Sequence, residues 1–295
     1  MRKHPFLMAL FLVGCVFVLF FVSVLVLALV FGRPTAFPVG EKVAVVEIQG
    51  VINSSRELME QLVDDREDPT VKAVVLRINS PGGAVGPAQE IYEEVKKLAR
   101  VKPVVVSMGT VAASGGYYVA VPARRILANP GTLTGSIGVV MQFTNIEELL
   151  AKIGLKSRVV KSGAHKDMGS ATREMTEEER AILQELIDDV HLQFVTAIAE
   201  GRKMDLKRVK ELADGRIYTG RQALKIGLVD ELGNLQDAIA LAGKMGGIQG
   251  KPQVVYPERE RPDFLRYLFE ESRTRLGDVL SSPEIPGLKF IWNGF

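Results

Sequence analysis

The chain has a single cysteine, Cys15, and it falls inside an apolar run, so neither an intrachain disulfide nor a cysteine-based metal site is open to it. Histidine is nearly as scarce. His4, His165 and His191 lie far apart without ligand spacing, which argues against a zinc centre. An excess of charge of one sign is also missing: 37 Lys+Arg against 35 Asp+Glu leave a net +2, so nucleic acid gains no electrostatic support. There is no internal repeat or low-complexity tract. At 295 residues the chain has ample length for one large or two medium domains with a real core.

What it does have begins at the N-terminus. Phe6 to Phe31 are 26 residues without a charge, which as a helix would reach roughly 39 Å against a hydrocarbon core of about 30 Å. A cleavable signal peptide has a shorter apolar core and a small-x-small site, which Val30-Phe31-Gly32-Arg33 does not supply. A retained transmembrane anchor over residues 1–32 is therefore expected, followed by a Pro/Gly linker over 33–42. Arg2 and Lys3 favour a cytoplasmic N-terminus, placing the rest on the extracytoplasmic side of the cell membrane, although Arg33 and Lys42 weaken the asymmetry.

The segment 43–256 alternates strand and helix patterns. Val43–Ile48, Val71–Ile78 and Val104–Ser107 are β-branched apolar runs, each followed by a helical periodicity; Ser54 with Glu57 suggests a capping box for the first helix. That alternation predicts an α/β core with parallel strands. Arg125–Ala128, Ile137–Met141 and Leu155–Lys161 are expected as further strands, with Gly131–Gly138 turning between the first two and Ser162–Ser170 as loop. Thr176 with Glu179 opens the longest helix, carrying Ile182, Leu186, Val190, Phe194 and Ile198 on one stripe, and shorter helices follow at Leu206–Ala213, Gly220–Ile226 and Leu235–Lys244. The tail, 257–295, is dense in charge and then apolar. It suits packing on a neighbouring subunit, an amphipathic stretch on a membrane surface, or disorder ending in a sticky Phe290-Ile291-Trp292.

Two glycine-rich segments stand at the carboxyl ends of expected strands, where ligands gather in parallel sheets: Ser80-Pro81-Gly82-Gly83 and Ser114-Gly115-Gly116. Ser114 lies between small residues that admit a close backbone such as a peptide, and it opens a helix whose free N–H groups suit a developing alkoxide. A serine nucleophile needs a base. His165 and Lys166 are nearly equal candidates with Lys161 third, because a lysine serves only if its pKa falls several units below about 10.4. In an extended segment His165 and Asp167 would face one way and Lys166 the other.

Taken together, Asn79-Ser80-Pro81-Gly82-Gly83, Ala113-Ser114-Gly115-Gly116-Tyr117-Tyr118, Gly135-Ser136-Ile137-Gly138-Val139 and Ser162-Gly163-Ala164-His165-Lys166-Asp167 resemble bacterial signal peptide peptidase A in its short, single-repeat form. The resemblance covers roughly Val43 to Ala242 and the N-terminal anchor, not the tail. It implies a Clp protease/crotonase-like spiral of ββα turns and a homo-oligomeric ring. It also implies a site built where subunits meet, leaving open whether Ser114 and Lys166 of one site belong to one chain or two. By position Ser114 matches the nucleophile, Lys166 the general base, Ser136 the hydroxyl that positions the lysine, and Gly83 and Gly115 the backbone donors of the oxyanion hole. It implies no cofactor and no metal, and apolar peptides, remnant signal peptides among them, as substrates. A crotonase-type acyl-CoA enzyme, or a membrane scaffold without catalysis, are the competing expectations; the first would use the paired N–H groups without a serine nucleophile, the second no chemistry at all.

Overall fold

The computed structural model describes residues 5–31, 40–256 and 289–291, with side chains in the first helix described over 11–24. Contacts divide the chain into residues 1–39 and 40–295. In the first unit α1 (Pro5–Phe31) is one continuous helix, and its side chains over 11–24 are exposed. Measured over the described residues, no helix is long and apolar enough to cross a membrane. The expected anchor therefore rests on its uncharged sequence.

The second unit runs β1 (Lys42–Gln49), α2 (Arg56–Glu67), β2 (Val71–Ser80), β3 (Gly82–Ala84), α3 (Val85–Val101), β4 (Val104–Ala113), α4 (Gly115–Ala120), β5 (Arg125–Ala128) and β6 (Leu133–Gly135). Then come α5 (Glu147–Lys152), α6 (Glu177–Arg202), α7 (Leu206–Leu212), β7 (Ile217–Thr219), α8 (Gly220–Lys225), β8 (Glu231–Leu232), α9 (Leu235–Met245), β9 (Gln253–Val255) and β10 (Lys289–Ile291). The main sheet has the order β7-β6-β4-β2-β1-β9, parallel throughout except for the β6–β7 pair.

β4 is the hub. Its first half, Val105 to Met108, pairs with β5, and its second half, Val111 to Ala113, pairs with β6. One strand thus feeds two neighbours, and the sheet turns at Gly109-Thr110. Alternation along β1 sends Ala44, Val46 and Ile48 into the large core under α3, α4 and α6, and Val43 and Val45 into a smaller core under Ala238, Ile239 and Ala242 of α9. Fully burying each of the valine and isoleucine side chains stabilises the fold by roughly 1.5–3 kcal/mol, so both faces hold the strands that end at the site.

Several local expectations are corrected. Ile137–Met141 is not a strand; Val140 makes an isolated bridge, and the strand is Leu133–Gly135, within the segment expected to turn. Gly135 and Ser136, with φ of 83° and 48°, end it there. Leu155–Lys161 is exposed and without ladder partners among the described residues, and Ser162–Gly169 forms turns rather than an extended segment. The first capping box is absent: α2 begins after Ser55, whose hydroxyl donates to Glu90 of α3 instead of capping. Of the α6 stripe, Leu186 is exposed, while Val190, Phe194 and Ile198 are buried. Phe290 is wholly buried in β10 rather than part of a sticky end; 257–288 and 292–295 lie outside the described residues.

Candidate active site

Ser114 is delivered by the last residue of β4. Its N–H donates to the Gly135 carbonyl at 2.8 Å, continuing the β4–β6 ladder one step, and the chain then turns into α4. The turn forces φ 53°, ψ −118° on Ser114, a region a side-chain-bearing residue occupies at a cost of about 1–3 kcal/mol. Its side chain is buried, the residue being 1% exposed, and Oγ has no hydrogen-bond partner among the described residues. A strained, buried and unpaired hydroxyl lacks a structural reason to be serine.

The glycines around it are a matter of close approach. A Cβ on Gly82 would lie 2.7 Å from the Gly115 nitrogen, one on Gly115 would lie 3.2 Å from the Gly83 nitrogen, and one on Gly116 would lie 2.7 Å from the Ser80 carbonyl oxygen. The Ser80-Pro81-Gly82-Gly83 turn is thereby laid against the start of α4, with the Gly83 nitrogen close to Gly115. Ser80, fully buried, fixes that turn by accepting from the Gly82 N–H at 3.1 Å. Beneath it Tyr117, from the same motif, donates its phenol to the Leu228 carbonyl at 2.8 Å, and burial pushes that phenol's pKa up.

Ser136 follows β6 as Ser114 follows β4, is 8% exposed, and also has a left-handed backbone. The three candidate bases have separate surroundings. Lys161 donates to Asp167 Oδ1 and to the Ala164 carbonyl, and His165 lies 3.7 Å from Glu178 at the start of α6. Lys166 is exposed and has no side-chain partner among the described residues. No hydrogen bond joins Lys166 to Ser114 within the chain.

Residues that sequence reasoning passed over hold these segments in place. Asn79 Oδ1 accepts from the N–H groups of Thr110 and Val111, tying the irregular end of β2 to the point where β4 changes partner. Arg173 donates from Nε to Asp167 Oδ2 at 2.9 Å and from Nη1 to Glu179 Oε2 at 2.8 Å, anchoring the Lys166 turn to the N-terminus of α6. The Arg173 hydrogen bonds, with one from Lys161, hold the Asp167 carboxyl well below its usual range. Arg173 and the Thr176 N–H likewise bring Glu179 down to about 2. Of these contacts the sequence predicts only the Thr176–Glu179 capping pair, because it is local. An open groove of about 540 Å³ runs past Val51, Ile52 and Leu58 and does not include Ser114.

The family model of peptidase family S49 matches residues 96–249, and that of Clp protease matches residues 42–134. Among curated proteins the chain is 46% identical over 209 residues to "Putative protease slr0021" of Synechocystis sp., covering 70% of this chain and 76% of that protein. It is 39% identical to "Putative signal peptide peptidase SppA" of Enterococcus faecium, over 68% of this chain and 62% of the relative. "Protease 4" of Salmonella typhi is 38% identical over 71% of this chain, a match that spans 35% of the longer protein. The parallel α/β sheet described above is of the kind the Clp protease match implies. On these matches the chain belongs to peptidase family S49 and is a serine peptidase.

Proposed function

We propose that the chain is a membrane-anchored endopeptidase that cleaves apolar peptides, remnant signal peptides among them, through an acyl-enzyme formed on Ser114 with Lys166 as general base. The observation that carries it is Ser114 itself: buried, strained at φ 53° and unpaired at Oγ, beside the close approach of Gly83 to Gly115. In the proposed reaction neutral Lys166 takes the Ser114 proton and the alkoxide attacks the scissile carbonyl. The Gly83 and Gly115 N–H groups hold the oxyanion, each such donor being worth about 3–4 kcal/mol in the transition state. The proton passes to the leaving amine, and Lys166 then activates the water that cleaves the ester. Ser136 holds the lysine amine.

A lysine in water is protonated, so the exposed Lys166 needs company. We infer that a neighbouring copy supplies it in a ring. The support is unpartnered apolar surface around the Lys166 segment and on α6: Leu155 is 56% exposed, Val159 52%, Val160 101% and Leu192 46%. The uncharged run Phe6–Phe31 supports the anchor, with the peptidase unit on the extracytoplasmic side. The test is cleavage of an apolar signal-peptide substrate by the full chain in detergent, comparing wild type with Ser114→Ala and Lys166→Ala. Loss in both, with folding and assembly intact, supports the dyad. Activity that survives Lys166→Ala but not His165→Ala replaces it with a histidine mechanism.

A further inference from the structure

β10 comes from far along the chain, yet it lies on the site. It pairs antiparallel with β3, Lys289 opposite Ala84, Phe290 opposite Gly83 and Ile291 opposite Gly82. On its other edge Lys289 exchanges both backbone hydrogen bonds with Val140 at 3.1 Å, again antiparallel. A three-residue segment is therefore held as a strand between β3 and the Val140 segment that follows Ser136, which is how an extended peptide adds to a sheet edge.

The register puts Phe290 opposite Gly83, with its carbonyl against the glycine turn. A Cβ on Gly82 would lie 1.9 Å from the Phe290 carbonyl oxygen, and one on Gly115 would lie 3.1 Å from the same oxygen and 3.2 Å from the Gly83 nitrogen. That carbonyl thus sits where Gly83 approaches Gly115. The Phe290 ring, 0% exposed, enters an aromatic pocket, 5.3 Å from the centroid of Tyr118 and 4.8 Å from that of Phe194, with Tyr92 stacked behind Tyr118 at 4.7 Å. Such ring pairs stabilise beyond their buried area. Tyr118 belongs to the helix that Ser114 opens, so the pocket and the nucleophile share one element.

We propose that residues 289–291 occupy the peptide groove as a built-in pseudosubstrate, and that Tyr92, Tyr118 and Phe194 form the pocket selecting a large apolar or aromatic residue on the acyl side of the scissile bond. The proposal rests on the serine peptidase reading for its register and goes beyond it in naming the selected side chain and a self-blocking contact. A peptide substrate must displace β10 to bind.

The test uses the full chain in detergent carrying Ser114→Ala, so that nothing is cut, and a fluorescein-labelled peptide copying residues 286–292, followed by anisotropy. Introducing Phe290→Asp into the chain is expected to free the groove and tighten peptide binding at least 10-fold over the parent. Phe290→Ala, which adds no buried charge, is expected to give a smaller gain of about 3-fold, and serves if the aspartate variant does not fold. A labelled peptide carrying Phe290→Asp is expected not to bind. Equal binding to parent and variants, or none to any folded variant, overturns the proposal. Peptide binding to the freed groove together with no cleavage by a folded Phe290→Asp chain that keeps Ser114 would overturn the peptidase reading while leaving the pocket standing.

Discussion

Ser114 and Ser136 leave adjacent parallel strands at the same step, each one residue beyond the paired Ala113 and Gly135, and both adopt left-handed backbone, φ 53° and 48°. Two serines side by side in a conformation that favours glycine point to a shared requirement for their hydroxyls. Glycine should relieve the strain wherever the hydroxyl is not needed for folding. Ser114→Gly is expected to raise stability by about 1 kcal/mol while lowering peptide cleavage by about 10⁴-fold or more. Urea unfolding and a peptide assay on one preparation check both; a destabilised variant would mean the hydroxyl holds the fold.

Ser136→Ala is expected to act through the base rather than the nucleophile. Its kcat should fall about 10- to 100-fold with KM little changed, and the ascending, acidic limb of the pH profile, where the lysine loses its proton, should shift. A merely structural Ser136 would lower the melting temperature and leave that limb in place. Ser136→Thr, which restores a hydroxyl, should recover part of the rate.

Among the base candidates, the partners predict a ranking. His165→Ala should leave cleavage within about 2-fold, since His165 is exposed beside Glu178 on the surface of α6. Lys161→Ala removes a donor from Asp167 but leaves both Arg173 hydrogen bonds to that carboxylate, so a loss of a few-fold is expected. Lys166→Ala should abolish cleavage. Parallel kinetics on the three variants, assembled to the same oligomeric state, separate these outcomes.

Much of the site was legible because its segments are local. Strand, small residues and Ser114 follow one another in sequence, and a parallel α/β sheet brings strand ends to one edge whatever the loops do. What stayed hidden depends on partners distant in the chain. The strand at Leu133–Gly135 is set by β4 on one side and β7 on the other, not by its own three residues. Leu155–Lys161 has the alternation of a strand but meets no ladder partner among the described residues, so propensity alone did not make one. Asn79 and Phe290 owe their roles to contacts 31 residues and about 200 residues away, beyond the reach of periodicity.

Gly83→Ala is expected to damage both fold and chemistry. The new Cβ would meet the Ile52 carbonyl oxygen at 2.2 Å, backbone that a side-chain rotation cannot relieve, while Ile52 is bound on both sides, donating to Gly82 and accepting from Ala84. The segment must shift, and the amide beside Gly115 shifts with it. Stability should fall by about 2 kcal/mol or more and kcat by about 10²- to 10³-fold, measured by thermal unfolding and by cleavage below the new melting temperature.

Acid and base should act on the fold through different carboxylates. Glu179, held at about 2 by Arg173 and the Thr176 N–H, is lowered from its ordinary 4.5, so the stability it lends is present above about pH 4.5 and is lost as pH falls through about 2. Asp65 has the opposite sign. Burial lifts its pKa to about 6 from 3.8 against the pull of Lys102 and Lys42, and its buried Oδ2 has no hydrogen-bond partner among the described residues. The unfolded chain gives up that proton first, so Asp65 is harmless below about pH 3.8 and weakens the fold increasingly as pH rises through 6. Partial exposure screens the effect, which leaves about 1–2 kcal/mol at neutral pH. Asp65→Asn should therefore raise the melting temperature at pH 7.5 and make no difference at pH 3.5, whereas Glu179→Gln should lower it at pH 7.5 and converge on wild type near pH 2. Thermal melts of the three chains across that range decide it: a gain for Asp65→Asn that persists at pH 3.5 would come from packing and not from the carboxylate's charge.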